Sequence, residues 1–500
     1  MKILTKLEKN KSFWYLLGLS LIFFFLRLPS LIEPNWYGDE GIYQVIGQAI
    51  NKGRLLYTDT WDNKPPLLYL VYAIFNGEQF WVRLFSMVVG IFSTWAFFAI
   101  STLLFKELRT RIISTLIFVL LFAVPLLEGN IANAENFMIL PVLLAGILIY
   151  KISNKIYFSK TKRYILTIAG LLIGIAFLFK IVALFDFAAF GIFLMITNFP
   201  DRFSFSSARI KKLFSSSKSY LIPFSVGFIF PILGSVFFFF IQGAFSDFMT
   251  ATFFSNVDYV GWKNNFIFPQ GLLVLKLMLL AGVIFLAFRK RKHLAKSELF
   301  IFLWFAFSVF STYFSGRPYT HYVLMTLSSF CLLLGLFLDT KKPRLKYAVF
   351  LLLIFTSLIL NNTFKFNFGK TFRYYDNAIS FLSGKKDVLE YQSFFDNKTP
   401  RDYEIASFIK SHTTDDDSVF IWGDSAQIYS LSGKLPPGKY TVAYHISQYP
   451  SALEETQMQI SKTRPKYIVV LNEARAFPFN ITSYENRLFF EEAVVYERSF

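Results

Sequence analysis

Three carboxylates fall at positions where proton transfer could take place. Asp39 and Glu40 lie in GDEGIYQVIGQAINKG, a predicted short helix that begins at Asp39, and Glu135 ends the polar run NIANAE. A carboxylate beside a hydroxyl can remove its proton as a general base. We predict this role for Asp39, with Glu135 as a second carboxylate facing it. Asp39 could instead cap its helix, Glu40 could hold a metal or favour the helix N-terminus, and Glu135 could be a solvated loop acid.

Several cations, one with a neighbouring tyrosine, interrupt apolar sequence and could bind a phosphate group. They are Lys64 in WDNKPPLLY, Arg83, Lys180 in AFLFKIVALF, and Arg317, His321 and Tyr322 in SGRPYTHY. An ionisable side chain at membrane depth is a candidate functional residue because its burial in lipid is costly. Lys and Arg can bind phosphate, although Lys64 and Arg83 could also be interfacial side chains that reach out to water. His321 has no second His or Cys at ligand spacing, so no metal site is predicted there.

The elements that must hold these side chains are mostly membrane helices. Of the 500 residues, 54% are hydrophobic and 17% are charged, against roughly 25% charged in soluble domains. We predict eleven spans, near residues 13–29, 84–105, 112–127, 136–152, 164–179, 181–198, 219–241, 271–288, 298–314, 320–338 and 345–361. The N-terminal run lacks a small-residue cleavage site, so a retained first span is expected rather than a signal peptide. Cys331 is the single cysteine, which excludes an internal disulfide and a cysteine-based metal site.

The positive charge follows the alternation of these spans. The formal net charge is +18, and Lys and Arg concentrate in every second loop. These basic loops are residues 2–11, 106–111, 151–163, 202–218, 289–296 and 341–346. Such a distribution identifies the cytoplasmic side and argues against a nucleic-acid partner. We therefore expect a multi-pass protein of the cell (inner or plasma) membrane with a cytoplasmic N-terminus, an extracytoplasmic C-terminus and its candidate site on the outer face.

The composition changes after about residue 361. SVFIWGD and KYIVVLN are short apolar runs between turn residues and are predicted strands, whereas RDYEIASFIKSH and SALEETQMQISK are predicted helices. The expected organisation is a transmembrane module of residues 1–362, whose first outer loop of residues 30–82 is catalytic, followed by a small extracytoplasmic α/β domain of residues 363–500.

The order of the motifs resembles that of the GT-C class of membrane glycosyltransferases. The similarity is to the family 39-like branch, which contains the protein mannosyltransferases and the aminoarabinose transferases. It covers about residues 20–340 and rests on the D-E pair, K-P-P, the arginine opening the second span, the lysine of GIAFLFK and the late RPYTHY. In two places the chain departs from the pattern: Asn63 stands where the aminoarabinose branch has an acid, and Ile181 stands where a small residue is usual.

The resemblance implies a fold, a reaction and a set of residues. The fold would be a polytopic α-helical GT-C module, and the reaction would move a sugar from a polyprenyl-phosphate donor to a glycan, lipid or protein acceptor, with inversion. Asp39 would be the base and Glu135 the second-loop acid. Lys64, Lys180 and Arg317 would bind the donor phosphate, with His321 and Tyr322 lining the same pocket. A divalent cation is left open.

Two other classes of function are compatible with a polytopic chain. A polysaccharide polymerase or a lipid-linked sugar flippase is the principal alternative, but a flippase would carry its charges along a path near the bilayer midplane. A receptor on a membrane anchor is the other, although eleven spans exceed what an anchor needs.

Overall fold

A computed structural model describes residues 11–154, 158–199, 207–261, 264–265, 267, 269–472 and 475–499. Expectations about Lys2, Lys6, Lys9, Lys155 and Arg202 lie outside the described residues. The chain folds as two compact units. The helical unit comprises the described residues of Met1–Leu28, Phe85–Phe238 and Asn256–Thr371, and the mixed unit those of Pro29–Leu84, Phe239–Ser255 and Phe372–Phe500.

Most of the described chain is helical. The helices are α1 (Lys11–Arg27), α2 (Gly38–Asn51), α3 (Pro66–Ile74), α4 (Gln79–Leu104), α5 (Leu108–Ala123), α6 (Ala134–Asn154), α7 (Ser159–Phe179), α8 (Leu184–Thr197), α9 (Ser207–Ile241), α10 (Phe245–Met249), α11 (Ser255–Gly261), α12 (Gly271–Lys290), α13 (Lys296–Tyr313), α14 (Leu324–Asp339), α15 (Pro343–Phe364), α16 (Phe368–Leu382), α17 (Val388–Ser393), α18 (Thr399–His412), α19 (Gln427–Ser432), α20 (Ala443–Gln448) and α21 (Pro450–Thr463). The strands are β1 (Val419–Trp422), β2 (Tyr467–Leu471), β3 (Asn486–Phe490) and β4 (Ala493–Glu497).

Each of the eleven predicted spans is a helix. In the part of the chain that the structure describes, 8 helices are long and apolar enough to cross a membrane: α1, α4, α6, α7, α12, α15, the Lys218–Ile241 part of α9 and the helix Thr320–Asp339 that ends in α14. The other three predicted spans correspond to α5, α8 and α13, of 16, 14 and 18 residues. A helix satisfies its backbone polar groups internally, which is what lipid requires. The chain is therefore a multi-pass membrane protein, as predicted.

Glycines set the close approach of α7 and α9. A Cβ atom on Gly170 or Gly174 would collide with the backbone of Phe224 or Phe228, and one on Gly227 would collide with the backbone of Thr167. Small residues at a membrane helix crossing let the two backbones approach closely. This packing fixes α7, at whose end Lys180 lies.

The mixed unit contains a four-stranded sheet in the order β1-β2-β4-β3. β1 and β2 are parallel, and β4 pairs antiparallel with both β2 and β3. β1, β2, α18 and α21 confirm the predicted strands and helices. The sequence-based expectations contain no β3–β4 hairpin.

The first loop belongs to the same compact unit as this sheet. Val45 of α2 is buried in one apolar core with Ile405, Ile421 and Val469. Gly41 permits the contact, because a Cβ there would meet the backbone nitrogen of Gln427 at 2.8 Å. The sequence-based division at residue 362 stays a prediction, and the structure adds that residues 29–84 fold with residues 372–500.

Candidate active site

Asp39 lies in the first turn of α2 and does not cap it. The N-cap residue is Tyr37, without a side-chain cap hydrogen bond, so the predicted helix is confirmed but the capping alternative is wrong. The Asp39 carboxylate accepts a hydrogen bond from the Tyr43 hydroxyl at 3.0 Å. Residues four apart in a helix lie on one face, so α2 itself brings the two side chains together.

Lys64 lies close to two carboxylates. Its Nζ is 3.6 Å from Asp39 Oδ2 and 3.7 Å from Asp62 Oδ2. Tyr69 donates to Asp62 at 2.8 Å, and its hydroxyl accepts from the Lys64 backbone N–H at 3.1 Å. Pro66 is the first residue of α3, a position where proline's missing N–H costs nothing. The prolines therefore start the helix that positions Tyr69. We call Asp39, Tyr43, Asp62, Lys64 and Tyr69 the first-loop cluster.

Exposure distinguishes the two aspartates of the first-loop cluster. The Asp39 side chain is 35% exposed and Lys64 is 23% exposed, whereas Asp62 is 3% exposed. Burial raises the pKa of Tyr43 well above its usual value, and the charges of Asp39 and Asp62 raise it further. Tyr43 therefore stays protonated and donates to Asp39. Asp39 is the carboxylate that a molecule arriving from outside can reach.

His445 lies beside Asp62. His445 is not among the site residues that the sequence predicts. Its Nε2 lies 3.8 Å from Asp62 Oδ1, and its ring meets Trp61 edge-on at 4.9 Å between centroids. Burial lowers the pKa of His445 to about 4, with the Asp62 charge opposing the shift. The Trp61 backbone N–H donates to the Lys439 carbonyl at 2.9 Å. Because 383 residues of sequence separate Asp62 from His445, no local pattern could have paired them.

Glu40 and Arg83 form a buried ion-pair network. Arg83 Nε donates to Glu40 Oε1 at 3.1 Å, Nη1 lies 2.9 Å from Glu33, and neither Arg83 nor Glu33 has exposed side-chain surface. Tyr374 donates to Glu33 at 2.5 Å. A buried, fully paired guanidinium favours a structural role. The predicted catalytic role of Glu40 and phosphate contact of Arg83 are untested and stay predictions.

The helical unit joins a second set of predicted residues. α6 and α7 are both 21 residues long and are joined by four residues, so the start of α6 meets the end of α7. There Lys180 forms an ion pair with Glu135. Lys180 Nζ also lies 4.0 Å from the centroid of the Tyr322 ring, and His321 Nε2 lies 3.8 Å from Glu135.

Glu128 completes this group, although the sequence did not single it out. His321 Nδ1 lies 2.8 Å from Glu128 Oε2. Glu128 has φ 58°, the left-handed region that non-glycine residues seldom occupy, and such strain can mark a functional position. We call Glu128, Glu135, Lys180, His321 and Tyr322 the lysine cluster. Arg317 is half-buried in the loop just before His321, where its backbone N–H donates to Ser315 Oγ at 3.3 Å.

The predicted site residues are distributed over the two compact units. Asp39 and Lys64 lie in the mixed unit, and Glu135 and Lys180 in the helical unit; the predicted facing of Asp39 and Glu135 stays a prediction. Among the residues that the structure describes, no three His, Cys, Asp or Glu side chains form a group that could hold a metal ion.

Comparison with known proteins gives no sequence-level relative but a clear structural likeness. No protein-family model matches the chain, and no curated protein matches it. ArnT from Cupriavidus metallidurans bound to undecaprenyl phosphate has a TM-score of 0.55 at 14% identity, covering 92% of this chain and 94% of that one. The apo state of the same protein has a TM-score of 0.53 at 13% identity, covering 92% of this chain and 94% of that one. A third structure is the archaeal oligosaccharyltransferase AglB from Archaeoglobus fulgidus in complex with an inhibitory peptide and a dolichol-phosphate. Its TM-score is 0.48 at 16% identity, covering 93% of this chain and 70% of that one.

The likeness to ArnT extends over nearly the whole of both chains. At this identity it establishes the fold. The expected architecture, a polytopic helical membrane module with a small α/β part near the C-terminus, is confirmed. The resemblance to GT-C enzymes that the sequence motifs predicted is therefore confirmed at the level of the fold, and this chain has the fold of that class of membrane proteins.

Proposed function

We propose that this chain is an integral membrane glycosyltransferase that moves a sugar from a polyprenyl-phosphate donor to an acceptor hydroxyl. The observation that carries the proposal is Asp39, an accessible carboxylate hydrogen-bonded by Tyr43 and 3.6 Å from Lys64, in a chain with the ArnT fold. The ArnT structure is bound to undecaprenyl phosphate, which supports a donor of the same lipid class. Acceptors would be glycans, lipids or proteins.

Asp39 is the proposed general base. The acceptor oxygen forms a bond to the anomeric carbon as the bond from that carbon to the phosphate oxygen breaks, and the acceptor proton passes to Asp39. A single displacement of this kind inverts the anomeric centre. The Tyr43 hydroxyl would orient the carboxylate through its hydrogen bond, and Lys64 would compensate the carboxylate's charge from 3.6 Å away.

The donor phosphate is assigned to the cations. Lys180, Arg317 and Lys64 would compensate the charge that develops on the departing phosphate, and His321 and Tyr322 would line its site. Glu135 holds Lys180 in place through their ion pair, so we assign Glu135 to positioning. A divalent cation is a further candidate for this charge compensation.

The orientation in the membrane belongs to the same proposal. The protein would be located in the cell (inner or plasma) membrane. Its N-terminus would lie in the cytoplasm, and residues 363–500 would lie on the extracytoplasmic side. The support is the concentration of Lys and Arg in alternate loops. The transferred sugar would then be donated on the outer face.

The test measures the undecaprenyl phosphate that reconstituted wild-type and Asp39→Asn protein release as sugar is transferred. Proteoliposomes receive a panel of undecaprenyl-phosphate monosaccharides and host membrane extract as the acceptor source, and free undecaprenyl phosphate is quantified by mass spectrometry. We expect release by the wild type and a loss of about 10²-fold or more in Asp39→Asn. The matched control is Asp59→Asn, an exposed acid of the same loop, which should keep wild-type activity.

Two outcomes would contradict the proposal. Full activity of Asp39→Asn would remove the assigned base, and lipid-linked sugar crossing the bilayer without undecaprenyl phosphate release would indicate a flippase instead. Repeating the wild-type assay in EDTA tests the divalent cation. Polyprenyl phosphate co-purifying with the protein would support the donor class.

A further inference from the structure

Helix α16 has an apolar stripe in which four large side chains are exposed. Phe368, Phe372, Tyr375, Ile379 and Leu382 follow one another at spacings of four, three, four and three residues. At 100° per residue these positions share one face of a helix. The side chains of Phe368, Phe372, Ile379 and Leu382 are 55%, 76%, 66% and 69% exposed.

The same helix has a second, buried face. Tyr374, Asn377 and Ala378 are buried, and Tyr374 belongs to an aromatic cluster with Tyr391 and Phe395. This face accounts for the attachment of α16 to the mixed unit. It points away from the stripe, so packing within that unit leaves the four large apolar side chains uncovered.

A third face of α16 is polar and exposed. Arg373 and Asp376 lie there, and the exposed Lys365, Lys370 and Lys385 lie on or beside the helix. An apolar stripe flanked by Lys and Arg is the pattern of helices that lie in the plane of a membrane interface. A contiguous exposed apolar patch on a protein marks an interaction surface.

The position of α16 in the chain indicates what covers the stripe. α15, one of the candidate membrane spans, ends at Phe364. The chain turns at Lys365, which has φ 48°, and α16 begins three residues later at Phe368. A helix that starts so soon after a span begins within reach of the lipid headgroups, since three extended residues cover at most about 11 Å.

We propose that α16 lies in the lipid–water interface, with its Phe368–Leu382 stripe among the acyl chains and its basic side chains at anionic headgroups. The helix would hold the mixed unit at the membrane surface through its buried face. Tyr374 links α16 to Glu33, and Glu33 pairs with Arg83. Arg83 also donates to Glu40, the neighbour of Asp39. The proposal does not depend on the transferase activity.

Spin labels on the full-length protein test this arrangement. The native Cys331 is replaced by Ser, and nitroxide labels are attached in Phe372→Cys and Ile379→Cys, with Arg373→Cys as the matched control on the polar face. The protein is placed in nanodiscs of phosphatidylcholine and phosphatidylglycerol. Collisions with oxygen, which partitions into lipid, are compared with collisions with a water-soluble nickel chelate.

The expected result is a severalfold higher oxygen-to-nickel collision ratio at positions 372 and 379 than at position 373. Equal ratios at all three positions would show that the stripe faces water and would overturn the proposal. Low collision rates with both reagents at positions 372 and 379 would show a protein partner or a second copy of the chain on the stripe, which also overturns it. All labelled positions are exposed, and a thermal unfolding midpoint like that of the parent confirms the fold of each variant.

Discussion

Asp39 and Asp62 show how the same side chain acquires different roles within a few ångströms. Both lie within 3.7 Å of Lys64, and each accepts a hydrogen bond from a tyrosine. Asp62 is buried and held by Tyr69, so it can fix Lys64 but cannot meet an acceptor. Asp39 is the more exposed of the two, which makes it the candidate for chemistry. Its neighbour Glu40 points into the protein.

Replacing Arg83 should damage stability more than donor binding. In Arg83→Met the carboxylates of Glu33 and Glu40 stay buried without their cation, and breaking a buried ion pair in this way costs about 3–5 kcal/mol. The thermal unfolding midpoint of the purified protein in detergent measures the loss. The triple variant Arg83→Met/Glu33→Gln/Glu40→Gln should recover part of it, because no unpaired charge remains. An unchanged unfolding midpoint in Arg83→Met, together with weaker donor binding, would contradict the structural role and favour a phosphate contact for Arg83.

His445 should make the protein less stable in acid. Its pKa is lowered to about 4 in the folded chain from 6.5 by burial, so below about pH 6.5 the unfolded chain binds a proton that the folded chain rejects. Stability is therefore lost as the pH falls from 6.5 towards 4, by about 2 kcal/mol at pH 5. The check is thermal unfolding of the wild type and of His445→Gln at pH 7 and pH 5. The variant should lose less stability than the wild type between these two pH values. Equal losses in both proteins would rule out His445 as the titrating group.

The sequence predicts the helices and strands that have a strong local hydrophobic pattern. It does not predict features that depend on contacts with residues distant in the chain. The period of GDEGIYQVIGQAINKG predicts α2, and the apolar runs around Phe420 and Ile468 predict β1 and β2. β3 was missed because nearly all of its residues are exposed, so NRLFF shows no buried face. α16 is absent from the predictions although its apolar stripe is present in the sequence, because the segment matches neither the pattern of a membrane span nor that of a strand. Glu128 was missed because its importance rests on a contact with His321, 193 residues away.

The close packing of α2 against α19 depends on Gly41. A Cβ at Gly41 would lie 2.8 Å from the Gln427 backbone nitrogen, whereas one at Gly38 would meet only the Asp424 carbonyl at 3.9 Å. Gly41→Ala should destabilise the protein by about 1–3 kcal/mol, because the backbone of α19 cannot move aside cheaply. Gly38→Ala, on the same helix, should change stability by less than about 0.5 kcal/mol. Thermal unfolding of both variants checks the difference; equal midpoints would mean that α2 and α19 are less closely packed.

The sequence predicts what the parts of the molecule are better than how they associate. Hydropathy identifies all eleven helical segments, and the change of composition near residue 361 identifies the α/β part. Neither reveals that α2 contributes Val45 to the core around β1 and β2. That contact joins positions more than 370 residues apart, and an apolar residue on an amphipathic helix carries no signal of its partner. For the same reason His445 could not be assigned to the first-loop cluster.

The proposed orientation predicts which exposed positions a membrane-impermeant thiol reagent can reach in intact cells. Cys331 is fully buried, so new cysteines report against a low background. Asp416→Cys, at an exposed position just before β1, should be labelled in intact cells because residues 363–500 are proposed to lie outside. Lys292→Cys, at an exposed position between α12 and α13, should be labelled only after permeabilisation, since it lies in a basic loop assigned to the cytoplasm. The reverse pattern would invert the topology, and labelling of both positions in intact cells would require a different number of spans between them.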